Sequence, residues 1–185
     1  YALAKITGIK LCESLRIQYG FDTLALMPTN LYGPGDNYHS DHSHVMASLL
    51  KKFLLAKNNE LKEVTCWGDG SPLREFMHVD DLAAACIHVL KYWDPDSNTA
   101  PKDQFGNKLF FLNVGTGKDI SIKNLTRLIA KEVEFEGKIT WDKSMPNGTP
   151  KKQLNVSRLE SIGWRPKISL ESGIKMTIKE LKYSL

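Results

Sequence analysis

Tyr1 and Lys5 are the first residues of the chain whose types and spacing suit chemistry. Four residues of helix turn about 400°, so both side chains leave one face, about 6 Å apart along the axis. An ammonium beside a phenol stabilises the phenolate and draws its pKa down from about 10, which makes a tyrosine usable as a general acid or base near neutral pH. The bare spacing also recurs by chance in helices, where it is only a surface pair. His39, His42 and His44 form a second cluster, compact enough for three imidazoles to reach one zinc ion. No cysteine or second cluster completes a structural site, and the flanking residues suit a substrate loop, so no metal is expected. His78 lies where a strand gives way to a helix, and there a structural hydrogen bond is favoured over catalysis. Cys12, Cys66 and Cys86 are odd in number and widely spaced, the pattern of reduced, small buried hydrophobes in an intracellular protein. No G-x-G-x-x-G occurs, so the dinucleotide fingerprint is missing from these residues.

The elements that must hold these side chains alternate in type. Residues 1–19 are rich in helix formers and stop at Gly20, and Thr23–Met27 reads as a short strand closed by Pro28. Residues 29–43 read as a loop. Ser43 is expected to cap a helix to about Lys57, with Val45, Leu49, Leu50 and Phe53 as its apolar side. Val64–Trp67 is a strand, Gly68-Asp69-Gly70 a turn, and Glu75–Val79 an extended piece. Asp80 is expected to cap a helix from Leu82 to about Tyr92, followed by a solvated loop over 93–107. Leu109–Val114 is a buried strand, Ser121 opens a helix through Leu125, Leu128 and Ile129, and Ile139–Trp141 is a strand. A polar loop over 143–153, a turn of helix near Leu159 and a last helix from Leu170 to Leu181 complete the chain. The class is α/β, with too few strands for a complete doubly wound sheet.

The 185 residues suffice for one ordinary domain, and 42% hydrophobic with 25% charged residues excludes a disordered or low-complexity chain. Lysine and arginine number 25 against 21 acids, a net +4. That mild excess suits an anionic small molecule and lacks the basic block of a nucleic-acid binder. No apolar run of about 18 residues suggests a membrane span, and no basic-then-apolar leader opens the chain. The chain starts at Tyr1, already inside a helical pattern, so a fragment of something longer is expected.

Further motifs follow in order: Pro28-Thr29-Asn30-Leu31-Tyr32-Gly33-Pro34, Trp67-Gly68-Asp69-Gly70, the Arg74-Glu75-Phe76-Met77-His78-Val79-Asp80-Asp81 box and Asn113-Val114-Gly115-Thr116-Gly117. With Tyr-x-x-x-Lys ahead of them, they resemble the extended short-chain dehydrogenase/reductase family, whose members act on nucleotide sugars. The opening YALAKITGIKLCES, the segment MPTNLYGPGDNYHSDHSHV, REFMHVDD and NGTPKK look like its GDP-L-fucose-forming branch, over essentially the whole chain. The resemblance implies that residues 1–43 end an NADP-binding Rossmann domain. Residues 44–185 are then mainly substrate-binding, with segments near 74–92 and 109–117 returning to the Rossmann part.

The implied reaction has two stages. GDP-4-keto-6-deoxy-D-mannose is epimerised at C3 and C5, where the 4-keto group acidifies the C–H bonds, and the ketone is then reduced by NADPH to give GDP-L-fucose. By resemblance Tyr1 is the acid of the reduction, Lys5 lowers its pKa and bonds the nicotinamide ribose, and His44 is the acid of epimerisation. The family's epimerisation base, a Cys, and the Ser that partners the Tyr lie upstream of the Tyr. Tyr1, Lys5, Pro28, Thr29, Asn30, Leu31 and His44 are the implied cofactor side. Lys52, Trp67, Arg74, Asn147 and Lys152 are the implied substrate side. A guanidinium can fork onto diphosphate oxygens, whereas Lys52, in a place often held by Arg, keeps the charge without the fork. Asn147 stands where the family often has Asp. Plainer readings exist: a solvated helix face for Lys52, an ion pair with Glu75 or Asp69 for Arg74, a core aromatic for Trp67, and a strand-to-loop turn for 28–31. The parent protein is expected to be a cytoplasmic homodimer paired through the Tyr-bearing helix. The chain alone is expected to be inactive and unable to hold NADPH, for want of the fingerprint. A 4-epimerase or 4,6-dehydratase is the same-fold alternative, against which Ser43-His44-Val45 argues. A non-catalytic module binding nucleotide sugar or a protein is the alternative of another class.

Overall fold

The computed structural model describes residues 1–39 and 42–182. Helix α1 spans Ala2–Tyr19 and ends at Gly20, whose φ of 64° lets its N–H reach the Arg16 carbonyl. Only glycine takes that left-handed turn without strain. The chain then extends through β1 (Ala25–Pro28) and β2 (Asn30–Tyr32), one run broken at Thr29. Its two halves change partner. β1 pairs in parallel with β5 (Phe111–Val114), and β2 pairs in parallel with β4 (Leu73–His78). β4 divides likewise. Leu73–Glu75 lies antiparallel to β6 (Asp119–Ser121) and Leu73–Arg74 parallel to β8 (Lys151–Lys152), while Phe76–His78 takes β2. A separate parallel pair joins β3 (Glu63–Trp67) to β7 (Lys138–Asp142).

The sequence reading of 29–43 as loop and 143–153 as loop therefore needs correction, since β2 and β8 lie inside them. Short strands of this kind exist because β4 offers them backbone partners, which no local pattern reveals. Two expected caps also shift. Helix α2 (Val45–Asn58) starts after His44, not Ser43, and Val45 is exposed, so the buried face is Met46, Leu49, Leu50, Phe53 and Leu54. Helix α3 (Val79–Tyr92) starts after His78, whose ring nitrogen accepts the Asp80 N–H at 3.3 Å. The imidazole does the capping expected of Asp80, and Val79 is helical rather than extended. Ser121 caps α4 (Ile122–Val133) by accepting the Asn124 N–H at 3.2 Å. Helices α5 (Ser157–Ser161) and α6 (Leu170–Leu181) follow.

Two apolar cores result. One packs Met46, Leu50 and Phe53 against Val64, Leu125, Ile129, Ile174 and Ile178. The other joins Met77, Val89, Trp93, Leu112, Val114, Leu159 and Trp164. The segment 93–107 is less loose than its composition suggests. Trp93 and Pro95 are buried, and Arg16 of α1 reaches Asp94 at 2.8 Å and Asp96 at 3.2 Å. Cys66 is buried and desolvation pushes its thiol up, whereas Cys12 and Cys86 are only half-buried. No described helix is long and apolar enough to cross a membrane.

Asp81 ties α3 to the entry of α6. It is buried and accepts the backbone N–H of Lys167 at 3.0 Å and of Ile168 at 2.9 Å. Hydrogen bonds to a charged group contribute about 1.5–3 kcal/mol. Asp81→Ala in the full-length protein is expected to lower the unfolding free energy by about that amount, seen as a lower urea midpoint at unchanged slope. An unmoved midpoint would contradict the clamp.

Candidate functional site

The substrate-side residues converge where β3 ends and β4 begins. Trp67 closes β3 and is 66% exposed, which removes the core-aromatic reading and leaves an indole face free for stacking. After it, Gly68 and Gly70 both take φ 76°, and the Asp69 N–H between them donates to Asn147 Oδ1 at 2.9 Å. Asn147 packs so tightly on Gly68 that a side chain there would collide with its amide oxygen. Asn147 thus holds the turn with its carbonyl, and its NH₂ is the group it can still present as a donor. The Ser71 hydroxyl and backbone N–H hold the Asp69 carboxyl below the usual range. The Leu73 N–H donates to the Pro150 carbonyl at 2.8 Å, and Arg74 stands beside Lys152 across the β4–β8 pair.

Arg74 is half-buried, with Nη1 donating to the Leu73 carbonyl at 2.8 Å and Nη2 facing Gly148. Among the described residues no carboxylate pairs with it, so the ion pair with Glu75 or Asp69 is absent. Lys52 bonds the Thr65 carbonyl at 2.9 Å, two residues before Trp67, so it is tethered to β3 rather than simply solvated. Trp67, Arg74, Asn147 and Lys152 are thereby joined through one set of backbone contacts, with Lys52 alongside β3. Two lysines and a guanidinium without a carboxylate partner, beside an exposed indole, can take a phosphate-bearing aromatic ligand.

The other predicted residues group less closely. Tyr1 is 97% exposed at the start of α1, and Lys5 Nζ lies 5.3 Å from its ring centroid, so the ammonium sits over the ring as a cation–π pair. Pro28 ends β1, and Thr29, Asn30 and Leu31 carry the chain into β2. Thr29 Oγ1 and Asn30 Nδ2 donate to the Glu75 carbonyl at 3.2 and 2.7 Å, so these two are anchored inward. They lie at the carboxyl end of the parallel β1–β5 pair, where open α/β sheets place ligands. His44 is exposed at the head of α2, and its side chain makes no capping bond. No described hydrogen bond joins it to Tyr1. The rings of His39 and His42 stack at 5.1 Å, and the described residues contain no cluster of three or more metal-ligating side chains. Tyr1 and Lys5 offer a phenol and an ammonium on one helix face, and no G-x-G-x-x-G loop that would cradle a pyrophosphate occurs in these 185 residues.

The sequence reading singled out Arg74 in its box and passed over Glu75. Glu75 is wholly buried. Its Oε1 accepts the N–H of Thr116 at 2.6 Å and of Gly117 at 2.9 Å, and its Oε2 accepts that of Leu154 at 2.8 Å. The only available signal was a carboxylate set directly ahead of the apolar Phe76 and Met77 in β4.

Residues 1–100 match the model of the NAD dependent epimerase/dehydratase family. The chain is 49% identical over 181 residues to GDP-L-fucose synthase of Escherichia coli K12, covering 96% of this chain and 54% of that protein. It is 48% identical over 177 residues to GDP-L-fucose synthase 1 of Arabidopsis thaliana, covering 96% and 51%. The chain thus spans about half the length of these curated relatives. Among solved structures, a GDP-6-OMe-4-keto-L-xylo-heptose reductase from Campylobacter jejuni superposes with a TM-score of 0.87 at 33% identity, covering 99% of this chain and 60% of that one. A GDP-mannoheptose C4 reductase from the same organism, solved with NADP bound, gives 0.80 at 31%, covering 97% and 59%.

Proposed function

This chain belongs to the NAD dependent epimerase/dehydratase family, and from that premise we propose that it is the substrate-binding half of a GDP-L-fucose synthase. The observation that carries the reading is that one set of backbone contacts brings Trp67, Arg74, Asn147 and Lys152 together where β3 ends and β4 begins, with no carboxylate paired to Arg74 among the described residues. Arg74 and Lys152 bind the diphosphate of GDP-4-keto-6-deoxy-D-mannose, and Lys52 adds charge beside them. Trp67 lies against the guanosine, and the Asn147 NH₂ donates to it.

NADPH, when bound, supplies the hydride that reduces the C4 ketone. Tyr1 gives its phenolic proton to the C4 oxygen, and Lys5 stands over its ring. At C3 and C5, where the ketone has made the C–H bonds acidic, the upstream cysteine base of the family pattern takes the original proton and His44 delivers one to the opposite face. Pro28, Thr29, Asn30 and Leu31 form the wall on the nicotinamide side, with Thr29 and Asn30 fixed by Glu75.

The reading extends to a cytoplasmic homodimer. Helix α1 has no buried residue, and its Leu3, Leu11 and Ile17 stand exposed, as do Ile87 and Leu90 of α3. We assign part of this apolar surface to a second subunit and the rest to the remainder of the full-length protein.

The test uses GDP and GMP with the full-length protein. GDP is expected to protect against heat more than GMP, because only GDP offers two phosphates to the cations. Arg74→Ala is expected to remove most of the GDP protection, about 1.5–3 kcal/mol of binding. Equal thermal shifts in wild type and variant would remove Arg74, and the diphosphate site with it.

A further inference from the structure

We propose that Glu75 is a positioning residue that sets the nucleotide-binding loops against β4; the proposal rests on the function just described. Neighbouring strand residues point to opposite faces, so Arg74 stays half-exposed while Glu75 is driven inward. At Glu75 the strand exchanges partners: β6 pairs through Glu75, β8 through Arg74, and β2 from Phe76 onward. Amides of the neighbouring loops then need a buried acceptor other than a ladder carbonyl.

The carboxylate is that acceptor. The successive N–H groups of Thr116 and Gly117, with Gly117 at φ 66°, form a concave nest around Oε1, while Leu154 occupies Oε2. A side chain at Gly115 would run into Oε1, so the loop fits only around glycine. Gln153 Nε2 donates to the Gly117 carbonyl at 2.5 Å, linking the two loops that Glu75 holds. Leu154 lies two residues beyond Lys152, so its bond fixes the end of β8 and, through it, the lysine beside Arg74. The Glu75 backbone carbonyl meanwhile holds Thr29 and Asn30. One residue therefore fixes the nucleotide side with its side chain and the nicotinamide side with its main chain.

A substitution of the side chain should separate these two functions. Glu75→Gln is nearly isosteric, but its NH₂ replaces one acceptor and must face an amide N–H, donor against donor. In the full-length protein, calorimetric titration is expected to show GDP affinity at least about 10-fold weaker, since charge-assisted bonds are lost. NADPH affinity is expected to hold within about twofold, because the backbone carbonyl is untouched. KM for the GDP-sugar should rise with kcat little changed. Gly115→Ala, which keeps the charge but displaces Oε1, should give the same selective loss, and it replaces Glu75→Gln if that variant does not fold. Unchanged GDP affinity in the folded variant, or equal loss for GDP and NADPH, would overturn the proposal. A wild-type protein that ignores GDP would instead overturn the functional reading, and this one with it.

Discussion

Tyr1→Phe in the full-length protein is expected to slow NADPH oxidation by about 10²–10⁴-fold while deuterium from solvent continues to enter C3 and C5 of the sugar. The change is narrow. Phenylalanine keeps the ring at the head of α1 and keeps a face for the Lys5 ammonium, now 5.3 Å from the ring centroid. The substitution removes one hydroxyl and leaves the ring, so its effect on folding is read separately from the thermal midpoint of the variant. What disappears is the proton for the ketone oxygen. Exchange next to the ketone does not need that proton, because His44 remains. Loss of both deuterium entry and NADPH oxidation, with GDP-sugar still bound, would show that one residue serves both stages.

The reciprocal result is expected from His44→Asn. Deuterium exchange at the inverted carbons should fall by about 10²–10⁴-fold, while a ketone supplied to the enzyme is still reduced. His44 stands at the N-cap of α2 without a side-chain capping bond, and asparagine is among the best N-cap residues. The helix start is therefore kept or strengthened, and a lost rate cannot be blamed on a frayed α2. A variant in which exchange and reduction fall together at unchanged thermal stability would assign His44 to both steps; a variant in which neither falls would remove it from the chemistry.

The sequence made much of this legible where the signal was local. Gly20 after a run of helix formers and Ser121 ahead of an apolar periodicity are interactions within a few residues, and both termini stand where expected. Strands β2, β6 and β8 were not legible, because two or three residues of strand are defined by what lies across from them. The same limit explains the site. The family resemblance pointed to Trp67, Arg74, Asn147 and Lys152 as the substrate side, but the Asn147 bond to Asp69 crosses 78 residues and no spacing encodes it. Glu75 was hidden for the opposite reason: a carboxylate is ordinarily a surface residue, and only the amides that surround it explain its burial.

The division of β4 between two sets of partners also has a kinetic side. Its bonds close long loops: Thr29 reaches Glu75 across 46 residues, and Leu154 reaches the same residue across 79. Each closure must be made before its contacts reward it, so this arrangement has high contact order and belongs to the slowly folding topologies. During synthesis the residues of β1 and β2 emerge before the partners they take in β5 and β4. The Glu75 carboxylate stays without its last donor until Leu154 arrives. For that interval the strand edges of β4 and the Glu75 carboxylate lack partners they have in the folded protein, the kind of exposure that favours misassembly.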